Sequence, residues 1–400
     1  MQGLQVKGGI YWVGSLDKEI KVFDIIMRTD FGTTYNAYVI KGKEKNVLVE
    51  VSKDSKFGEF FERLQSVINP ADLDYIVLNH AEPDHSGSLK QLLPYCPKAV
   101  VVATGTALRF LKDIVNAEFP SHQVNEGDTI GLGGKTLRFI MAPFLHWPDT
   151  MFTYVPEEKA LFSCDSFGCH YCDENVFNDL IEGDFYEAYQ YYFDNIMGPF
   201  KKNVLEALDK IKDLPIETIC NGHGPVIRKD PQKYMEMYRV WATPAPKGRK
   251  TAVIAYVSAY GYTKRMALSI AEGVKSAGGV DVSLYDFVYD DVDAATRAIE
   301  AADGVLLGSP TLVGDALPPI ANILTHLNPY FHRGKMMGAF GSYGWSGEAV
   351  PHIMERLAQL KLATPLEGFR VQFNPSEEQL AAAFEFGKKF GEATANICNM

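Results

Sequence analysis

The sequence lacks several features that would set the protein apart from ordinary globular chains. No stretch of about 18 apolar residues occurs among its 400 residues, which excludes a membrane-spanning helix of the usual length. No basic run occurs either, and 39 basic against 50 acidic residues give a net charge of −11, so we expect neither nucleic acid nor an anionic membrane as a partner. The first residues lack the charged and apolar order of a signal peptide, and the chain is therefore expected to stay in the cytoplasm.

Cysteine is scarce, at six in 400 residues, which excludes a disulfide framework. The six are Cys96, Cys164, Cys169, Cys172, Cys220 and Cys398. Cys169 and Cys172 form a single C-x-x-C, whereas a zinc ribbon or a rubredoxin-type iron site needs two such pairs. The pattern favours reduced, packed thiols, with a redox or metal role for this pair as the alternative.

An interruption rich in proline and glycine divides the chain. Residues 243–250 hold two prolines, a glycine and three basic residues, the composition of a linker. With 46% apolar and 22% charged residues, the chain has enough apolar side chains for sizeable cores. We therefore predict two domains, residues 1–248 and 251–400.

The two parts differ in their hydrophobic pattern. In the second part, short apolar strands alternate with helical segments, which is typical of a doubly wound parallel sheet. The first part holds more strands and fewer helices, which predicts two sheets packed face to face with helices outside. The predicted strands of the first part are 10–14, 37–40, 46–50, 75–78, 99–103, 137–141, 151–155 and 160–163, with helices at 56–67, 86–93 and 105–115. Those of the second part are 252–257, 280–284, 304–307, 336–340 and 370–373, with helices at 263–277 and 380–392.

A dense group of metal-capable side chains follows the strand predicted at 75–78. Four lie within six residues: His80, Glu82, Asp84 and His85. Burying two carboxylates and two imidazoles together is costly unless a cation compensates, so a metal site explains the group better than a structural role. A helix is predicted to begin at Ser86, which places the group where layered α/β folds carry their sites.

This block resembles the H-x-[HE]-x-D-H signature of the metallo-β-lactamase superfamily. In that resemblance the later donors come singly, and the matching positions are His146, Asp165 and His223. Four neutral imidazoles and three carboxylates balance two divalent cations and a bridging hydroxide, with Asp165 as the natural bridge. The superfamily's hydrolases mostly carry histidine at the position of Glu82, and a carboxylate there suits iron or manganese better than zinc. The other histidines, His122, His326, His332 and His352, have no such context, and we expect them at the surface or in packing.

Three loops of the second part predict a flavin site. The segment 258–263 offers hydroxyls and a glycine at a strand-to-helix turn, where backbone N–H groups bind a phosphate. It has no P-loop pattern and resembles the FMN-phosphate loop of flavodoxins, although an ordinary capped helix is the alternative. Two glycine-containing loops follow the third and fourth strands and emerge on the same edge, where Tyr343 and Trp345 can stack on a flat ring. The candidate FMN residues are Ser258, Ala259, Tyr260, Gly261, Tyr262, Thr263, Ser309, Pro310, Thr311, Leu312, Val313, Gly314, Ser342, Tyr343, Gly344, Trp345 and Ser346.

The combination closely resembles the flavodiiron protein family over essentially the whole chain. The blocks that carry the likeness are Thr33–Tyr38, His80–Gly87, Asp165–His170 and Gly341–Ala349. The resemblance implies a metallo-β-lactamase-like αββα sandwich followed by a flavodoxin-like domain, with electrons relayed through FMN to a diiron site that reduces dioxygen to water, nitric oxide to nitrous oxide, or both. It implies one iron held by His80, Glu82 and His146, the other by Asp84, His85 and His223, Asp165 as the bridge, and Tyr35 and His170 beside the centre.

The sequence departs from the family pattern at three places. The loop 22–32 is short and lacks the histidine that many members carry there, which leaves the choice between oxygen and nitric oxide open. Leu312-Val313-Gly314 stands where relatives often have asparagines. Cys164, Cys169 and Cys172 replace the commoner residues around Asp165 and His170.

The resemblance also implies partners. It implies a head-to-tail homodimer, or a dimer of such dimers, in which the flavin of one subunit lies near the irons of the other. No rubredoxin domain is recognised in the sequence, so we expect an external electron donor: rubredoxin, reduced coenzyme F420 or a reductase. Two other functions are alternatives. The first is a zinc metallohydrolase fused to a flavodoxin domain, which Glu82 disfavours. The second is an electron carrier without enzymatic activity, which the seven convergent donors disfavour.

Overall fold

The computed structural model describes residues 1–24, 27–244 and 248–397. Contacts divide the chain into two units, Met1–Pro244 and Ala245–Met400. Residues 245–247 of the predicted linker, residues 25 and 26 of the loop that lacks the histidine, and Cys398 lie outside the described residues. Among the described helices, none is both long and apolar enough to cross a membrane.

The first unit contains two mixed sheets and short additional strands. Its strands are β1 (Leu4–Lys7), β2 (Ile10–Trp12), β3 (Ser15–Asp17), β4 (Val22–Phe23), β5 (Met27–Arg28), β6 (Thr33–Tyr35), β7 (Tyr38–Lys41), β8 (Asn46–Val49), β9 (Tyr75–Val77), β10 (Val100–Ala103), β11 (Ser121–Gln123), β12 (Thr129–Gly131), β13 (Thr136–Met141), β14 (Met151–Val155), β15 (Ala160–Cys164) and β16 (Thr218–Asn221). The first sheet has the order β1-β2-β7-β8-β9-β10-β11 and the second β12-β13-β14-β15-β16. The pairs β3–β6 and β4–β5 form two small antiparallel ribbons.

Helices cover the outer faces of the two sheets. The α-helices are α1 (Phe57–Val67), α2 (Pro83–Ser86), α3 (Leu89–Leu92), α4 (Gly105–Val115), α5 (Tyr186–Tyr192), α6 (Lys201–Ile211) and α7 (Pro231–Ala242), with shorter 3-10 turns at Asp54–Lys56, Pro70–Asp72, Leu93–Tyr95 and Gly198–Phe200 and a π-helical turn at Phe193–Met197. Along β8, Val47 and Val49 join the core between the sheets, whereas Leu48 joins the core under α1, α3 and α4. This alternation follows from the two-residue period of a strand. A third core lies between the second sheet and α5, α6 and α7, which completes the predicted αββα sandwich.

The second unit is the predicted doubly wound sheet. Its strands are β17 (Lys250–Tyr256), β18 (Val280–Asp286), β19 (Gly304–Gly308), β20 (Thr311–Leu312), β21 (Asp315–Ala316), β22 (Met336–Tyr343) and β23 (Phe369–Gln372), and its helices are α8 (Tyr262–Ser276), α9 (Val292–Ala301), α10 (Pro318–His326), α11 (Pro329–His332), α12 (Ala349–Gln359) and α13 (Glu377–Ala395). Five parallel strands pair in the order β18-β17-β19-β22-β23. Separate apolar cores on the two faces bury the alternating residues of β17.

Helices α8 and α13 lie against one another at unusually close range. A Cβ added at Gly273 would overlap the carbonyl oxygen of Phe384, and one added at Gly387 would overlap that of Ile270. Only glycine permits this approach of two helix backbones. The close contact fixes α8, whose N-terminus follows the 258–263 loop, against the face of the sheet.

The structure corrects the predicted helix at 86–93. Two short helices are found instead, because the Ser88 N–H bonds to the Ser52 carbonyl 3.0 Å away rather than continuing the helical pattern. The first of them begins at Pro83, whose fixed φ and missing N–H suit the first helical position. The fourth strand of the second unit also runs on to Tyr343, so the predicted loop at 341–348 begins inside β22.

Candidate metal centre and flavin site

Four predicted donors lie in the segment that follows β9 of the first sheet. His80 and Glu82 are in the connection after the strand, and Asp84 and His85 are in helix α2. Hydrogen bonds from the Ser86 hydroxyl to the carbonyl oxygens of Ala81 and Glu82, at 2.8 and 3.0 Å, tie the helix to this connection. The four side chains are therefore held by a short, internally bonded segment.

The other three donors follow strands of the second sheet. His146 lies between β13 and β14, Asp165 directly follows β15, and His223 follows β16. Strands β15 and β16 are parallel neighbours, so their carboxyl ends meet at one edge of the sheet. Donors that are distant in the sequence are collected there from both sheets.

One group of donor atoms surrounds a common point near Glu82. The Nε2 atoms of His80 and His146 lie 3.1 and 2.9 Å from Glu82 Oε2. Asp165 Oδ2 lies 3.6 Å from each of the same two nitrogens. These four side chains each offer one ligand atom within 4.8 Å of the others.

A second group surrounds a point near Asp84. Asp84 Oδ2 lies 3.0 Å from His223 Nε2 and 3.3 Å from His85 Nε2. The second oxygen of Asp165, Oδ1, lies 3.0 Å from His85 Nε2 and 3.4 Å from His223 Nε2. Asp165 therefore presents one oxygen to each group, and the seven predicted donors form two adjoining sites.

The burial of these carboxylates demands a compensating charge. Asp84 and Asp165 are 5% and 1% exposed. Both oxygens of Asp84 and Oδ2 of Asp165 have no hydrogen-bond partner. Removing ionised carboxylates from water costs several kcal/mol each unless a cation or hydrogen bonds offset it. Together with the facing Nε2 atoms, these unpartnered oxygens fit a pair of divalent cations.

Three of the seven donors are oriented by contacts that the sequence pattern did not predict. His80 Nδ1 lies 3.2 Å from Asp149 Oδ2, and His223 Nδ1 lies 2.6 Å from the Thr34 carbonyl oxygen. The Tyr192 hydroxyl donates to Asp165 Oδ1 over 2.9 Å. Such outer contacts fix the tautomer of a metal-binding imidazole and the orientation of its ring. Asp149 lies only three residues after the predicted donor His146 and could have been noticed in the sequence, whereas Thr34 acts through its backbone.

In His223 and Asp165, neighbouring charges and hydrogen bonds together outweigh the effect of burial on the pKa. Burial lowers the pKa of His223, but Asp165 and Asp84 outweigh it and raise that pKa to about 10. Burial alone would raise the pKa of Asp165, yet the charge of His85 and the hydrogen bond of His223 hold it well below its ordinary value. Metal binding requires neutral imidazoles and ionised carboxylates, so it is coupled to the release of protons.

The two predicted neighbours of the centre, Tyr35 and His170, both lie beside His223. The Tyr35 ring is 5.9 Å from that imidazole, and its hydroxyl donates to Asp17 Oδ2 over 3.4 Å. The His170 ring is 5.4 Å from His223, and its Nδ1 lies 2.9 Å from the Thr33 hydroxyl. His170 is buried, and burial together with the charge of His223 keeps its pKa well below the ordinary value.

The described cysteines are free thiols, and none of them forms a disulfide. Cys169 is buried and Cys172 is partly exposed. Burial raises the pKa of the Cys172 thiol, and it raises that of Cys169 beyond the range of ordinary thiols. Cys164 is different, because its sulfur lies 3.6 Å from Nδ1 of His85.

The predicted phosphate loop lies between β17 and α8. Gly261, the residue before α8, adopts a left-handed conformation with φ of 82°. The Ser258 hydroxyl accepts a hydrogen bond from Lys264 N of the first helical turn at 3.2 Å, and the buried Thr263 hydroxyl lies 2.9 Å from that of Ser342. A helix N-terminus beside hydroxyl groups is a suitable binding site for a phosphate.

The two other predicted loops lie at the same edge of the sheet, because β19 and β22 are parallel to β17. In the first, β20 and β21 form a small hairpin whose turn residues, Val313 and Gly314, both have positive φ. In the second, the Trp345 side chain is 93% exposed, as are large parts of Leu312 and Val313. Exposed apolar side chains around a phosphate loop fit a flat aromatic ligand.

The fold and the site together define a class of protein: a metallo-β-lactamase-like domain with clustered histidines and carboxylates, followed by a flavodoxin domain. A family model described as ODP family beta lactamase matches residues 33–224, and the flavodoxin family model matches residues 254–387.

Proteins that are similar over nearly the whole chain identify one family within this class. The chain is 42% identical to type A flavoprotein fprA of Rhodobacter capsulatus, covering 98% of this chain and 90% of that protein. It is 38% identical to a nitric oxide reductase of Moorella thermoacetica, covering 99% and 100%. The structure of rubredoxin oxygen:oxidoreductase from Desulfovibrio gigas matches with a TM-score of 0.73 and 29% identity, covering 98% of each chain. The chain belongs to the flavodiiron protein, or type A flavoprotein, family.

Proposed function

We propose that the two donor groups hold a pair of iron ions. His80, Glu82 and His146 would bind one iron, Asp84, His85 and His223 the other, and Asp165 would bridge them. The observation that carries the proposal is the position of Asp165, whose two oxygens face separate groups of imidazole nitrogens. Three carboxylates among seven donors favour iron over the zinc of the related hydrolases.

We further propose residues 1–248 as the diiron domain and residues 251–400 as the FMN-binding domain. The N-terminus of α8 and the hydroxyls of Ser258 and Thr263 would bind the FMN phosphate. The loops 309–314 and 342–346 would enclose the ring, with Tyr343 and Trp345 available for stacking. This assignment is supported by the match of residues 254–387 to flavodoxin.

The activity that fits this pair of sites is the reduction of dioxygen to water, of nitric oxide to nitrous oxide, or of both. Relatives of full length are named for each reaction. When bound, the irons and FMN supply the electrons, of which one dioxygen consumes four. The protein orients the donors through Asp149, Thr34 and Tyr192 and limits the access of water to the centre.

The residues around the centre have separate tasks in this proposal. Asp149 accepts from the Ala81 N–H at 2.7 Å as well as facing His80, so it holds the strand end and the imidazole together. Tyr192 donates to the same Asp165 oxygen that faces His85 and His223. Tyr35 and His170 pack beside His223 and fix its ring. These contacts keep the spacing of the donor atoms constant while the charge of the centre changes.

We also propose a head-to-tail homodimer, alone or paired into a tetramer, served by an external electron donor. In this arrangement the flavin of one subunit approaches the metal centre of its partner, and the two-fold axis makes two such contacts. The donor would be rubredoxin, reduced coenzyme F420 or a reductase. A protein that is monomeric at micromolar concentration and fully active would contradict the dimer.

The test of the function is anaerobic. Iron and flavin are counted in the purified protein, which is then reduced and mixed with oxygen or with nitric oxide in separate stopped-flow runs. We expect two irons and one FMN per chain and rapid flavin reoxidation over many turnovers by at least one gas. Zinc in place of iron, with no turnover by either gas, would overturn the proposal and favour a metallohydrolase.

A further inference from the structure

Cys164 occupies a strained position at the end of β15. The pairing of β15 with β16 slips between Phe162 and Cys164, and the Cys164 backbone is left-handed with φ of 49°. A residue with a side chain rarely adopts this conformation, because Cβ approaches the following carbonyl oxygen. The irregularity turns the chain just before Asp165, so that Cys164 and Asp165 both point toward the donors.

His85 is contacted on both edges of its ring. Nε2 lies 3.0 Å from Asp165 Oδ1, while Nδ1 lies 3.6 Å from Cys164 Sγ. Both side chains of the His85–Cys164 pair are buried. A neutral imidazole carries its proton on one nitrogen only, so an acceptor at Nδ1 leaves the lone pair on Nε2.

A buried carboxylate stands behind this pair. Glu50 offers an oxygen within 4.8 Å of both Cys164 Sγ and a ring nitrogen of His85. Its Oε1 accepts from the Asn79 N–H at 3.0 Å, whereas Oε2 has no hydrogen-bond partner. Glu50 is 2% exposed, and its position beside the sulfur limits how the thiol and the imidazole can turn.

We propose that Cys164, backed by Glu50, is a positioning residue that holds His85 with Nε2 toward the second metal position. This inference rests on the proposed diiron centre. Two other donors are held in the same way by oxygen: His80 by Asp149 and His223 by the Thr34 carbonyl. Sulfur is a weaker hydrogen-bond acceptor than oxygen. His85 is thus the most weakly fixed of these three imidazoles.

The test is a titration of the metal-free, full-length protein with Co²⁺. Binding is monitored by the visible absorption of the bound Co²⁺. For the wild type we expect two equivalents. Loss of an outer contact typically lowers metal affinity by about 10–100-fold. In Cys164→Ala we therefore expect that loss for the second equivalent and an unchanged first. Cys164→Ser, which restores an acceptor, should return the second affinity to near or above that of the wild type.

Cys96→Ala is the matched control, since Cys96 is another buried thiol of the first unit and belongs to the core under α1, α3 and α4. It should bind both equivalents as the wild type does. Equal weakening of both equivalents in Cys164→Ala, no weakening, or failure of serine to rescue would overturn the inference. Intense thiolate-to-cobalt absorption in the wild type would also overturn it, because Cys164 would then be a ligand. A wild type that binds fewer than two equivalents would instead contradict the proposed diiron centre.

Discussion

The metal centre and the flavin loops are built in opposite ways. The metal donors are mostly buried, come from both sheets of the first unit, and leave oxygens of Asp84 and Asp165 without partners. The flavin loops lie at one edge of one sheet and expose their apolar tips, Val313 and Trp345, to solvent. An exposed loop has little to lose when its ligand is absent, whereas buried, unpartnered carboxylates do. The metal centre should therefore be coupled to the stability of its unit more strongly than the flavin site is coupled to the stability of the second unit.

Replacing the shared carboxylate should have the largest effect. In Asp165→Asn the charge that both donor groups share is lost at nearly constant volume. We expect loss of both metal ions and a fall in turnover of at least about 100-fold, since a ligand itself matters more than an outer contact. Metal analysis and gas-dependent flavin reoxidation measure this. Asp179→Asn, which breaks a surface ion pair with Arg228, is the control and should change neither. A variant that keeps two metals would argue against a bridge.

Removing the metal should destabilise the first unit alone. A ligand present at about 1,000 times its dissociation constant stabilises the folded state by about 4 kcal/mol. Chelation should therefore lower the first unit's unfolding temperature and leave that of the second unit unchanged, as resolved by calorimetry with near-ultraviolet and flavin signals. Removal of FMN should have the smaller effect of the two. Equal shifts in both experiments would break the contrast between the sites.

The buried Thr263 hydroxyl should matter for flavin affinity without mattering for the fold. Thr263→Val removes a donor from the phosphate loop while keeping the side-chain shape. Hydrogen bonds to charged groups contribute about 1.5–3 kcal/mol, so we expect FMN to bind at least about tenfold more weakly. Flavin fluorescence gives the dissociation constant. Thr296→Val, on exposed α9, removes a hydroxyl that bonds only to the Val292 carbonyl and should leave the affinity unchanged.

The exposed turn at Val313 should give the smallest effect, and in the stabilising direction. Val313 is β-branched with φ of 57°, a conformation that asparagine tolerates far better. In flavin-free protein, Val313→Asn should stabilise the second unit by about 1 kcal/mol, measured from its urea midpoint. Val288 is also exposed but does not have a positive φ, so Val288→Asn should not stabilise the second unit in this way. A destabilised Val313→Asn would show that the turn is held by contacts of the valine side chain.

Much of the candidate metal centre could be proposed from the sequence, because the candidate donors follow strand ends in short, dense patterns. The block from His80 to His85 is recognisable by its density of histidines and carboxylates. The single donors each follow an apolar segment. The contacts that orient the donors were not predictable, since Thr34 acts through a carbonyl and Tyr192 approaches from an otherwise unmarked helix. Only the folded chain brings such groups together.

Longer strands and helices were predictable from the pattern of apolar residues. The strand Met151–Val155 and the helix Gly105–Val115, for example, have the predicted bounds. Strands β3 to β6 were missed because two or three residues do not establish a period. Helix 86–93 failed for another reason: the Ser88 amide bonds to Ser52 in a distant segment. Local periodicity carries no information about such a partner.

The close contact between α8 and α13 also bears on the order in which the protein can become functional during synthesis. The ribosome releases the first unit early, and domains generally fold as they emerge. The loop 258–263 and helix α8 come next, but the glycine-lined contact that fixes α8 needs α13, residues 377–395. We therefore expect a nascent chain to bind metal before it can bind flavin. Flavin binding depends on α13 through its contact with α8, although no residue of α13 belongs to the flavin loops.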